Sequence, residues 1–299
     1  MQSLSKRLRR AHAFRAACAF FVLCASDASY AAWQFDVDAG FVYDSNLTRA
    51  YAPADIRADG AFTLDAAAGW FWALSGADGL TLTGNARTEL YHRFHGLNLL
   101  DVGANATYKH KFGLGYAAPW ISLSVAAARD DYRGDIRDGR RLDIRAEIGK
   151  RFTPEFDASF GGRYDRRYGR NDEPVVPGIS GNVFDLRGES VYARAGYAIT
   201  DSVLLGAELS VRRGDVVATT RPDFDIFVVS DAIAADPTFG PDFFAYRLRG
   251  TTDTAKLSAS WALDERSSLN VVYVEERTDA AGGIYYRSHS ANLVYAWRY

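Results

Sequence analysis

Three runs of this sequence place charge of both signs at every second position: Asp143, Arg145, Glu147; Arg163, Asp165, Arg167; and Asp185, Arg187, Glu189. A two-residue spacing puts such groups on one face of an extended strand. Arg87, Glu89, Asp101, Lys109, Arg151, Asp157, Glu208, Arg212, Lys256 and Glu276 join them on the same alternation. Guanidinium and carboxylate rows on one wet face pair with each other or hold a hydrophilic solute through charge-assisted hydrogen bonds. Because the two signs stand side by side, the set favours neither anions nor cations strongly.

Catalytic chemistry needs a nucleophile within reach of a base. Ser288 and Ser290 flank His289, but adjacent side chains of a strand point to opposite faces, so neither serine meets that ring. His92 and His95 sit at a rim with no serine or acidic partner at a recognisable spacing, and His110 is the remaining histidine. Asp44, Asn46, Asp55 and Asp59 cluster around one connection, where turn and solvation roles suit them better than calcium ligation. The residues therefore point away from an enzyme, and they call for no metal or cofactor.

The elements that position these groups read as strands. Of the 299 residues 48% are hydrophobic and 14% aromatic, with 17 Tyr, 18 Phe, 26 Gly and one Met. No apolar run reaches the 18 residues of a membrane helix, and the aromatic richness suits an all-β chain. Phe35, Val37, Ala39, Phe41 and Tyr43 share one face of a first strand; Gln34, Asp36, Asp38 and Gly40 take the other. The same grammar predicts strands near 34–44, 61–74, 80–93, 99–111, 119–132, 141–152, 156–168, 184–199, 203–217, 243–263, 268–278 and 285–299, with a bulge at 188–190 in the eighth.

The joins after even strands are short, such as Ser75 to Gly79 and Thr153 to Glu155, while those after odd strands include 45–60, 169–183 and 218–242. All six tryptophans, Trp33, Trp70, Trp72, Trp120, Trp261 and Trp297, fall at strand ends on the side of the short joins, as does Tyr299. Indole favours a membrane interface, so these residues read as interface anchors. Together these patterns predict an all-β fold: a closed antiparallel transmembrane β-barrel of about 12 strands, an up-and-down meander over 32–299. Its lumen would be lined by the charged set.

Residues 1–31 read as a signal peptide. Lys6, Arg7, Arg9, Arg10 and Arg15 precede the apolar run 16–25, and Ser29-Tyr30-Ala31 offers small residues for cleavage. Cys18 and Cys24 both fall within it. Removal leaves 30 Lys+Arg against 36 Asp+Glu, a net charge near −6 that disfavours a nucleic-acid partner.

Leu293, Tyr295, Trp297 and Tyr299 share a face of the last strand, which ends on an aromatic. That ending resembles the closing strand of Gram-negative outer-membrane β-barrels, which implies the barrel assembly machinery as a partner and outer-membrane lipid and lipopolysaccharide as surroundings. Tyr43-Asp44-Ser45-Asn46-Leu47-Thr48-Arg49-Ala50 resembles the barrel opening of proteobacterial outer-membrane proteins, including surface lipoprotein assembly modifiers. The functional expectation is a passive or weakly selective channel for small hydrophilic or charged solutes. Alternatives are a narrow barrel filled by salt bridges, a structural or surface-interaction barrel, an export accessory for lipoprotein or polysaccharide and, ranking below these, an outer-membrane lipid hydrolase.

Overall fold

In the computed structural model the described residues are 31–299, apart from Asp172. The predicted signal segment with its two cysteines lies outside them, except for Ala31, which opens the first strand. Thirteen strands follow: β1 Ala31–Asp44, β2 Asp59–Ala73, β3 Asp78–Tyr91, β4 Leu99–Lys111, β5 Trp120–Tyr132, β6 Gly139–Arg151, β7 Phe156–Gly169, β8 Leu186–Thr200, β9 Val203–Thr220, β10 Ala232–Ala235, β11 Phe244–Ala262, β12 Ser267–Ala280 and β13 Ile284–Arg298. Twelve are long, and each pairs antiparallel with its neighbour in a single meander. The ring closes where β1 meets β13, from Asp36 opposite Arg298 to Asp44 opposite Ser290. The four-residue β10 stands apart, on the edge of β11 beyond the end of β12.

Side-chain alternation sets the two faces of this wall. Leu209 and Leu257 are 65% and 60% exposed on the outside, in stripes with Phe41, Phe62, Val125, Phe160 and Leu293. Water would not leave so continuous an apolar belt uncovered, whereas hydrocarbon matches it. The residues between them point inward and are largely polar. Short joins at the terminal end of the wall, where β1 begins and β13 ends, are built from local caps. Asp264 accepts the backbone N–H groups of Arg266 and Ser267 at 2.7 and 2.8 Å, and Ser75 Oγ accepts those of Ala77 and Asp78 at 3.1 and 3.0 Å. Such turns satisfy the chain reversal without help from elsewhere.

Outward aromatics ring the same end. Trp33 packs edge-on against Trp70 with centroids 4.4 Å apart, and Trp72, Trp261, Trp297 and Tyr299 lie on the outer face nearby. Trp120 departs from the expected set. Its alternation on β5 is that of inward Ser122 and Ser124, and Lys109 Nζ sits 4.2 Å over its ring. It is a lumen residue and anchors nothing at the interface.

Strand β8 also corrects the sequence reading. It pairs with β7 in unbroken register from Phe156 opposite Tyr197 to Arg167 opposite Leu186, with no bulge at 188–190; the irregularity lies at 198–200 instead. The apolar Val191, Ala193 and Tyr197 fix the odd positions outward, so Arg187 and Glu189 face outward above them. Asp185, just before the strand, goes with them, paired at 2.6 Å to the outward Arg166. Asp185, Arg187 and Glu189 therefore leave the lumen set, and Arg194 enters it without any slip of phase.

Candidate functional site: the charged lumen and its covered mouth

Strands β6 and β7 put like charges directly opposite each other on the inward face: Arg141 with Arg167, Asp143 with Asp165, Arg145 with Arg163. Opposed like charges destabilise a sheet. Here successive layers alternate in sign, so each layer is neutralised by the next. Arg163 bonds Asp143, and Arg212 grips Asp165 through two contacts of 2.6 and 2.9 Å. Asp130, 2% exposed, lies between Arg141 at 2.9 Å and Arg167 at 3.1 Å, while Arg141 also reaches Asp101.

Lower in the lumen Arg194 bridges Glu147 at 3.0 Å and Glu208 at 2.5 Å, and the Tyr192 hydroxyl donates to Glu147 at 2.7 Å. Arg87 holds Glu89 at 2.7 Å; Lys256 stands opposite Glu208 in the ladder; Glu276 accepts from Ser288 at 3.1 Å. The remaining sequence candidates, Arg145 and Lys109, lie against inward rings: Arg145 over Tyr192 at 5.7 Å, Lys109 over Trp120. Partly exposed pairs of this kind are individually worth about 0–1 kcal/mol. Their role is to keep charge on a wet wall where a solute can exchange partners with them.

The mouth, at the end opposite the termini, is crossed by the segment joining β9 to β11. It carries the short helix Phe224–Val228 and β10. Its contacts reach loops from across the ring. Arg221 Nε donates to Asp55 of the β1–β2 loop at 2.6 Å, joined by Thr220, and Thr219 N donates to Thr48 O at 2.7 Å. Arg137 of the β5–β6 loop clasps Asp236 with both guanidinium nitrogens, one at 2.9 Å. Phe239 and Phe243 pack with Leu97 of the β3–β4 loop, and a second apolar cluster gathers Ile226 and Ile233 against Tyr246, Leu248, Ile284 and Tyr286. The cover thus has its own core.

Burial works against the Asp55 carboxylate, yet the hydrogen bonds from Thr220 and Arg221 outweigh it and hold its pKa below the ordinary 3.8. A carboxylate with a depressed pKa stabilises the closed form fully above its free value and loses that contribution as pH falls through the bound value. Protease cleavage within 221–243 should therefore be slow at pH 5–7 and accelerate below about 3.8. Asp55→Asn should cleave faster already at neutral pH and respond less to acid.

The stretch Tyr43 to Ala50 is committed to the seam beneath this cover. Asn46, 2% exposed, donates through Nδ2 to Ala50 O and to Arg287 O of β13, both at 3.0 Å. Its Oδ1 accepts from Ala50 N at 3.1 Å and Thr48 Oγ1 at 3.0 Å. Arg49, at φ 51°, pairs with Asp44 at 2.9 Å and Glu276 at 3.2 Å. Asn46→Ala leaves these buried partners unsatisfied, and the urea midpoint should fall by the equivalent of about 1–3 kcal/mol.

These groups differ in how far alternation reveals them. Arg141, Asp130 and Arg194 lie inside strands and a stricter parity count would have found them, whereas Asp55, Arg137, Arg221 and Asp236 sit in irregular segments without a period. Of the histidines, His289 faces outward and bonds the Tyr273 hydroxyl at 2.9 Å, on the face opposite Ser288. His110 bonds Asp78 at 2.8 Å at the terminus end, away from the lumen groups.

Fold and site together define a closed twelve-stranded antiparallel barrel with an apolar exterior and a charged interior. The sequence matches no family model and no curated protein. In fold the chain is similar to the crystal structure of the COG4313 outer membrane channel from Pseudomonas putida, at 12% identity with a TM-score of 0.55 over 92% of this chain and all of that one. Weaker overlays are found with the outer membrane channel DcaP of Acinetobacter baumannii (9% identity, TM-score 0.45, 92% of this chain and 100% of that one) and with the NanC porin (9%, 0.47, 88% and 98%).

Proposed function

We propose that this barrel lies in a bacterial outer membrane and conducts small hydrophilic or charged solutes with weak selectivity. The observation that carries the reading is the inward charge of both signs, layered by sign on β6 and β7 and still partly exposed to water, inside an exterior that only lipid can cover. Each solute charge finds an opposite charge within one strand step, so neither sign is excluded. The closing strand β13, with its terminal aromatic, is the part offered to the barrel assembly machinery, and lipopolysaccharide is the proposed outer surrounding.

Purified barrel in planar bilayers tests this. Discrete openings with a cation-to-anion permeability ratio near unity are expected, and deletion of 224–240 should raise the unit conductance. Absence of openings in both forms would sink the conduit reading. The covered mouth favours a second reading, a surface-interaction barrel whose work is done by the 221–243 segment; under it the deletion would abolish binding of a surface partner and leave conductance at zero.

A further inference from the structure

On the outside of the wall, just beyond the apolar belt and toward the covered mouth, Arg166, Arg187, Arg247 and Arg249 converge with Tyr164 on a cavity of about 320 Å³. We propose that this cavity binds the phosphate of a lipid headgroup in the leaflet that surrounds the mouth. The inference rests on the membrane placement argued above and assigns it a specific contact.

Four observations carry it. First, the four cations are all arginine, whose planar fork matches phosphate oxygens two at a time. Second, two of the three acids of the cavity are already engaged, and the third keeps its distance from the nearest arginine. Asp185 holds Arg166 at 2.6 Å, Asp215 accepts the Arg187 backbone N–H at 3.0 Å, and Asp231 comes no nearer to Arg249 than 3.9 Å. Third, Arg166 stands directly opposite Arg187 in the ladder, a like-charge pair that an anion between them would relieve.

Fourth, the arrangement recurs only at this height. Arg129 opposes Arg140 and Arg277 opposes Arg287 on the same outward face toward the mouth. On the half nearer the termini, the outward strand positions among the described residues carry no arginine. A solute in the lumen cannot reach the cavity, because its strand residues Tyr164, Arg166, Arg187 and Arg249 lie on the outward face of the wall. What can reach it is a headgroup whose chains lie along that belt.

The test uses the full barrel in detergent, with phosphatidic acid as probe, phosphatidylcholine as the lipid control and inorganic phosphate as the soluble control, read by native mass spectrometry. Phosphatidic acid should bind at least tenfold more tightly than phosphatidylcholine, and inorganic phosphate should not displace it. Arg187→Gln with Arg249→Gln should weaken it at least tenfold, while the Lys pair at those positions, which keeps charge and surface character, should retain an intermediate affinity. Equal binding to wild type and the Gln pair overturns the proposal; so does full displacement by inorganic phosphate, which would make the ligand a soluble phosphate. These residues lie outside the lumen, so unit conductance is expected to be unchanged, and a barrel that never opens would still give a readable lipid result.

Discussion

Arg137→Ala should release the cover from the mouth. Asp236 is fully buried and Arg137 8% exposed, so removing the guanidinium strands a carboxylate whose remaining contacts are Thr219 Oγ1 at 3.4 Å and the Thr238 N–H at 3.3 Å. Breaking one partner out of a buried pair costs about 3–5 kcal/mol. That loss falls on the 221–243 segment, because the barrel strands do not depend on this pair. We expect faster proteolysis of the segment and larger unit conductance with little change in the urea unfolding of the wall. Replacing both members, Arg137→Met with Asp236→Leu, should recover most of the protection, since no charge is then left unpaired. If the single variant resists protease as the wild type does, the pair does not hold the cover.

The second large effect concerns the outer face. Leu209→Arg puts a guanidinium in the middle of the apolar belt, at a cost of about 2–4 kcal/mol. Ser210→Arg, one residue along β9, points to the lumen among existing charges and should cost less than about 1 kcal/mol. Folding free energies measured by urea titration in lipid bilayers decide the matter. Equal losses at the two positions would reverse the assignment of the faces and with it the lumen.

The wall was legible in the sequence because its physics is periodic. Each long strand carries a two-residue rhythm from Phe35 to Trp297, and both the strand count and the alternation of join lengths follow from it. The rhythm misleads where its reference is ambiguous: Asp185, Arg187 and Glu189 alternate like a lumen row by their charges, while the apolar Val191 and Tyr197 set the true parity. Trp120 has the place along its strand that an interface anchor needs, but its parity puts it beside Lys109 in the lumen. The cover was not legible at all. Asp55 and Arg221 lie far apart in the chain, as do Arg137 and Asp236, and no spacing rule links residues joined only by folding.

The cover grows directly out of β9 and β11, and at its base Gly188, Gly214 and Gly250 stand abreast on three neighbouring strands. Gly214 has φ +155°, and a Cβ there would collide with the Arg187 carbonyl. This line of missing side chains is a crease in a continuous fabric. Any load on the cover is passed to the wall across that crease, which runs beside Arg187 and Arg249 on the outer surface. Whatever grips the barrel from outside at that height therefore braces the wall where the cover is rooted, without entering the lumen.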